Sequence, residues 1–165
     1  MRGGPMNFSP AAPRAQRGMA LLVSLVFLLL LTLIGISSMQ NATLQEKMAS
    51  SVTLRNQSFQ IAEAALRIGE SAVQLDTYTL PVCSGNQCLP PAESSTITAA
   101  GLNAFSGVTW VAAANGFYGV QNIGTAKNAV NVPSNTSATL YRVTAVAIVG
   151  NNVRSVVESI YAKFE

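Results

Sequence analysis

The sequence contains no histidine and few charges. Lacking histidine, it has neither the commonest general base nor the commonest metal ligand. Charged residues make up 10% of the chain, against about 25% in soluble domains. The seven acids stand singly, with no carboxylate pair at a useful spacing. No glycine-rich loop joins a strand to a helix, so no phosphate cradle is visible, and the many serines have no candidate base. These absences argue against an enzyme and against a bound cofactor or metal. The net charge of +3 is too small and too scattered for a nucleic-acid footprint, so no direct nucleic-acid partner is expected. There are only two cysteines, Cys83 and Cys88, and no proline stands between Pro13 and Pro81.

What the chain has in excess is apolar residues, 49% of the total, concentrated in residues 19–39. This stretch follows Arg17 and carries no charge; the first acid of the whole chain is Glu46. As a helix, 21 residues span about 31 Å, close to the ~30 Å hydrocarbon core of a bilayer. A soluble core helix is rarely apolar on every face for that length. A secretory signal has a shorter apolar region, followed by a small-residue cleavage motif that is missing after Met39. The stretch therefore reads as a transmembrane helix. Before it, Arg2, Arg14 and Arg17 occur without an acid, and Pro5, Pro10 and Pro13 argue against a helix. Residues 1–17 are either a cytoplasmic tail or a cleavable leader. The basic flank sets the N-terminus in the cytoplasm, which puts everything beyond about residue 42 across the membrane, in the periplasm of a diderm bacterium.

Residues 40–76 keep a helical pattern with nothing to break it. Leu44, Met48, Val52, Phe59, Ala62, Leu66 and Val73 recur at spacings of four, three or seven, with Arg55 and Gly69 in the two gaps. Glu63 and Arg67 stand at i, i+4 in the favourable order. One helix over residues 19–76, about 87 Å long, is expected, with Gly35 as its soft point. The stripe is expected to pack on the chain's own globular domain; a free-standing coiled coil is the alternative.

Beyond residue 76, Pro81, Pro90 and Pro91 bracket a short Cys83–Cys88 segment rich in turn formers. In an oxidising compartment the two thiols are expected to form a disulfide; a pair of free thiols is the alternative. Val108–Val111 and Tyr118–Ile123 read as strands around a turn at Asn115-Gly116, and residues 124–137 read as a loop. Thr139–Val149, a Gly150-Asn151-Asn152 turn and Val153–Phe164 read as a closing hairpin, with Arg142, Thr144, Arg154 and Glu158 on its solvent face. The fold class is α+β, a long N-terminal helix packed on an antiparallel β-sheet.

The order of basic leader, Gly18, apolar helix, amphipathic continuation and antiparallel sheet resembles the type IV pilin-like family. The run Arg17-Gly-Met-Ala-Leu-Leu-Val-Ser-Leu-Val-Phe, its continuation to Ala49, and Arg55-Asn-Gln-Ser-Phe-Gln-Ile-Ala-Glu-Ala-Ala-Leu66 are similar to the N-terminal region of minor pilins of the PilX family. The resemblance covers residues 17–70. It implies that a prepilin peptidase cleaves after Gly18 and that Met19 becomes the N-methylated first residue. It divides the chain into a leader (1–18), a transmembrane and polymerisation helix (19–39), its amphipathic continuation (40–76) and a periplasmic β domain with a disulfide loop (77–165). Most pilins carry a glutamate at the fifth mature position, where it pairs with a neighbour's terminal amine; here that position is Val23. Pilin-like proteins without this acid resemble tip subunits. The implied function is a minor pilin of a type IV pilus, in a tip or priming complex that initiates assembly and supports twitching motility, adhesion or DNA uptake. The implied partners are other minor pilins, the major pilin, the prepilin peptidase, the inner-membrane assembly machinery and the membrane. Alternatives are a K-type pseudopilin of type II secretion and a single-pass anchored periplasmic binding protein.

Overall fold

The computed structural model describes residues 17–129, 133 and 135–164. The expected leader, residues 1–18, lies outside these except for Arg17 and Gly18. Helix α1 runs from Arg17 to Gln74, ending two residues before the expected limit. The chain forms two compact units, one ending at Met48 and one comprising Ala49–Glu165, and α1 contributes to both.

In the first unit every described side chain is exposed. Two of its hydroxyls are satisfied within the helix: Ser24 Oγ donates to the Leu21 carbonyl at 2.9 Å, and Thr32 Oγ1 to that of Leu29 at 2.8 Å. Gly35 interrupts nothing, and a Cβ added there would meet nothing within 4 Å.

The second unit is built on a five-stranded meander. Its strands are β1 (Gly101–Leu102), β2 (Thr109–Ala113), β3 (Gly116–Lys127), β4 (Ser137–Val149) and β5 (Val153–Lys163). They pair antiparallel in sequence order. The β2–β3 turn is Ala114-Asn115, with φ of 51° and 65°. Two consecutive positive φ values are the geometry that matches the right-handed twist of a two-residue hairpin. The turn therefore falls one residue earlier than the Asn-Gly signal suggests. Residues 124–127 and 137 belong to β3 and β4 and are paired, Lys127 with Ser137, so the loop expected over 124–137 is shorter. A bulge at Asn122/Gly124, where Gly124 has φ +100°, hides the strand's continuation, because it breaks the alternation on which a sequence reading depends.

The helix covers one face of the sheet through small residues. Ser58, Ala62, Ala65, Gly69 and Val73 are buried. A Cβ on Gly69 would lie 2.7 Å from Val143 Cγ1 and 2.8 Å from Tyr118 Cδ2, so helix and sheet approach as closely as glycine allows. Val73, Val120, Tyr141 and Val143 form the core on this side, with Leu66, Tyr78, Leu80, Tyr118 and Tyr161 around it. Ser58 and Ser155 share a hydrogen bond at 2.6 Å, and Ser159 Oγ donates to Glu70 Oε1 at 2.6 Å. The expected apolar stripe is thus partly displaced. Ala62, Leu66 and Val73 face the core, whereas Leu44, Met48, Val52 and Phe59 are each more than half exposed. Close packing selects small side chains, and a search for large apolar residues passes over them.

The opposite face of the sheet is covered too, by the segment between α1 and β2. Val108, Trp110 and Val146 are buried there with Ile97 and Phe117 packed against them. The expectation that Arg142, Thr144, Arg154 and Glu158 face solvent holds for Glu158, which is exposed, and is corrected for the other three. Thr144 is 2% exposed, and the Arg142 side chain only 13%. Arg154 donates to the carbonyls of Ser94 and Ile97 at 3.1 and 2.8 Å. Polar residues at alternate positions suggest a wet face, but these donors are used to hold an irregular segment whose carbonyls need partners.

Candidate assembly surface

From Met19 to Met39 every large apolar side chain is 46–74% exposed. The most apolar 18-residue window has a mean hydropathy of 2.9 and is 0% buried. Each such side chain gains about 1.5–3 kcal/mol when moved out of water, so this surface needs a bilayer or other helices around it. Its backbone groups are paired along the helix, and Ser24 and Thr32 add their hydroxyls to that pairing. Pairing of this kind is what lets a helical segment enter hydrocarbon.

Gly18 and Met19 lie in the first turn of α1. A Cβ on Gly18 would meet nothing within 4 Å, so packing within the chain does not call for glycine there. Met19 is 65% exposed and Val23 46%. They stand one turn apart and line one face with Phe27 and Leu31. No charged side chain occurs from Gly18 to Gln45.

Cys83 and Cys88 are joined by a disulfide, with their Cα atoms 5.2 Å apart. The loop it closes is fastened to the sheet by Gln121 and Asn122, which sequence reasoning did not single out, and by Arg142, which it placed on the solvent face. Gln121 Nε2 donates to the carbonyls of Gln87 and Leu89 at 2.5 and 3.1 Å, and Arg142 Nη1 to that of Cys88 at 2.7 Å. Asn122 Nδ2 donates to the Leu80 carbonyl at 2.7 Å, while the Cys83 amide donates to the Asn122 carbonyl at 2.8 Å. Arg142 also pairs with Glu158 at 3.1 Å. Farther along, Glu93 Oε1 accepts from Ser106 Oγ and, at 3.2 Å, from Trp110 Nε1. Lys163 Nζ caps the end of α1, donating to the Leu75 carbonyl at 2.6 Å, which suits a cation at a helix C-terminus. Burial raises the pKa of Tyr78, helped by the nearby phenols of Tyr118 and Tyr141. Among the described residues no group of three or more Cys, Asp or Glu side chains is gathered.

An exposed apolar helix that continues into a helix backing an antiparallel meander has the architecture of the type IV pilin-like class of membrane-anchored structural subunits. Within that class, residues 17–67 match the family model described as PilX N-terminal. That segment is similar to the N-terminal region of PilX-type pilins. No curated protein and no solved structure matches the chain.

Proposed function

We propose that the protein is a minor pilin that acts in a tip or priming complex of a type IV pilus. The observation that carries this reading is the apolar helix from Met19 to Met39, exposed on all sides within a PilX-type region, with Val23 where most pilins place an acid. In the bilayer the helix anchors the subunit with its N-terminus in the cytoplasm and its β domain in the periplasm. In the fibre the same apolar surface packs against the helices of other minor pilins and of the major pilin. The Cys83–Cys88 disulfide fits an oxidising compartment on the far side. A subunit without an acid at Val23 gives up the pairing with a neighbour's terminal amine, which fits a position with no subunit above it. Initiation of assembly, and through it twitching motility, adhesion or DNA uptake, follows from that position.

Residues 1–18 are then the leader and Met19 the methylated N-terminus. The test is the mass of the protein from cells with and without the prepilin peptidase. Loss of residues 1–18 together with gain of one methyl group, only when the peptidase is present, is the expected result. Identical masses in the two strains would reject the reading. An anchored binding protein outside any fibre is separated by shearing: a minor pilin accompanies the sheared fibres, and an anchor stays with the cells.

A further inference from the structure

The five-stranded sheet ends on β5, and that edge is bare. Pairing with β4 runs without a shift from Val149 opposite Val153 to Thr139 opposite Lys163. Among the described residues, no main-chain hydrogen bond joins β5 to anything other than β4. Its outward N–H and C=O groups therefore form an open row along a strand of 11 residues. The strand at the other edge, β1, has only 2 residues.

Folded proteins guard such edges with proline, bulges, short strands or outward charges. β5 has no proline, no glycine and no bulge. Its three charges are engaged within the chain. Arg154 holds the carbonyls of Ser94 and Ile97, Glu158 pairs with Arg142, and Lys163 holds the carbonyls of Leu75 and Tyr78. Ser155 and Ser159 bond to α1, so the residues that alternate with them point to the other face of the sheet. There Val156 and Ile160 flank Glu158 and are 44% and 57% exposed.

We propose that β5 is a docking edge for an extended strand of another protein, one with a basic residue between two apolar residues at alternate positions. Alternating donors and acceptors in a row are paired in full only by extended backbone. Lipid chains or an apolar surface would strip water from the row and leave it unpaired, which is unfavourable. In the added strand, apolar side chains across from Val156 and Ile160 and a base across from Glu158 make the favourable cross-strand pairs. A second copy of β5 does not fit. Helix α1 and β5 run in the same direction, with Ser58 meeting Ser155 and Glu70 meeting Ser159. Antiparallel pairing of two β5 strands would point their α1 helices in opposite directions, which subunits anchored in one membrane cannot adopt. Parallel pairing would turn the two Val156–Ile160 stripes to opposite faces of the joined sheet. The exclusion of a second copy rests on the anchoring proposed above; the open edge itself does not.

The experiment is hydrogen–deuterium exchange, read by mass spectrometry, on the full-length protein in detergent. The probe is the synthetic peptide Thr-Val-Thr-Lys-Thr-Val-Thr, N-methylated along one edge so that only its other edge can pair. It is expected to slow exchange over residues 153–164 and to leave β2 unchanged. The same peptide methylated along both edges is expected to have no effect. Exchanging its lysine for glutamate is expected to weaken binding about fivefold. Ile160→Lys, at an exposed position of β5, is expected to abolish the protection, and Leu102→Lys, at an exposed position of β1, to leave it intact. Unchanged melting of both variants separates loss of docking from loss of fold. The proposal is overturned if the peptide does not protect β5, if the lysine and glutamate peptides bind equally, or if protection survives in full in Ile160→Lys. It is also overturned if the protein alone forms a dimer by light scattering that Ile160→Lys dissolves. None of these readings depends on cleavage after Gly18, so failure here leaves the minor-pilin reading standing.

Discussion

At Gly69 two effects of opposite sign meet on one residue. Replacing it with alanine gains about 1 kcal/mol of helix propensity. The new Cβ would sit 2.7 Å from Val143 Cγ1 and 2.8 Å from the Tyr118 ring, and overpacking of a tight core costs about 1–3 kcal/mol. Neither neighbour is the free end of a flexible chain, so the steric term wins. Gly69→Ala is expected to destabilise the second unit by about 1 kcal/mol, read as a lower urea midpoint at unchanged slope. Tyr78 makes a different prediction, in pH. Its folded pKa is raised, chiefly by burial and further by Tyr118 and Tyr141. In the unfolded chain the phenol ionises first, near pH 10, so between the two values the unfolded state binds fewer protons and stability falls as pH rises. The contribution is complete below about pH 10 and is lost as pH climbs through the raised folded value. Tyr78→Phe should flatten this alkaline limb of a stability–pH profile; an unaltered limb would mean that other groups cause it.

The elements differ in how far residue order revealed them. The apolar helix and the β4–β5 hairpin were legible because each rests on a strong local signal: an uncharged run in one case, alternation around Gly150-Asn151-Asn152 in the other. The end of β3 was not, since its bulge breaks alternation just where the strand goes on. The buried face of α1 was legible at Ala62, Leu66 and Val73, with Gly69 placed in a gap of the same stripe, and missed at Ser58 and Ala65, because small residues near a sheet look polar or neutral to a hydropathy pattern. The second covered face of the sheet was illegible in principle. Arg142, Arg154 and Gln121 are bound to carbonyls of an irregular segment up to 60 residues away in sequence, and nothing local marks a polar side chain as a clamp. This arrangement bears on the disulfide. The Cys83–Cys88 loop closes with a sequence separation of five, for which the chain-entropy estimate is roughly 2 kcal/mol. Gln121, Asn122 and Arg142 also hold the loop. Cys83→Ser with Cys88→Ser is therefore expected to cost about 2 kcal/mol while leaving the sheet folded. Far-UV circular dichroism and a denaturant titration would check both halves of that statement, and collapse of the sheet would show that the clamp alone is insufficient.

For the whole molecule the proposed role turns on where in a fibre the subunit would sit, and Val23 is the residue through which to ask it. The side chain is 46% exposed on an otherwise apolar face. A subunit within the shaft has neighbours on both sides, and in most pilins the acid at this position pairs with the terminal amine of one of them. A subunit at the tip lacks one of those neighbours, and an acid there would stay unpaired in an apolar setting, which is costly. Val23→Glu should therefore reverse the preference. In the bilayer the new carboxylate imposes a penalty of at most about 3 kcal/mol by insertion scales, smaller near the end of a span, so the protein should still be anchored. In the fibre the acid can be matched by a neighbouring amine, which favours positions along the shaft. Labelling of sheared pili with an antibody to the β domain is expected to mark fibre ends in the wild type and to spread along the shaft in Val23→Glu. The ratio of this subunit to the major pilin should rise with it. Labelling confined to the ends in both strains would mean that the β domain, with its doubly covered sheet, excludes the subunit from the shaft whatever stands at position 23. Labelling along the shaft in the wild type would remove the tip assignment altogether.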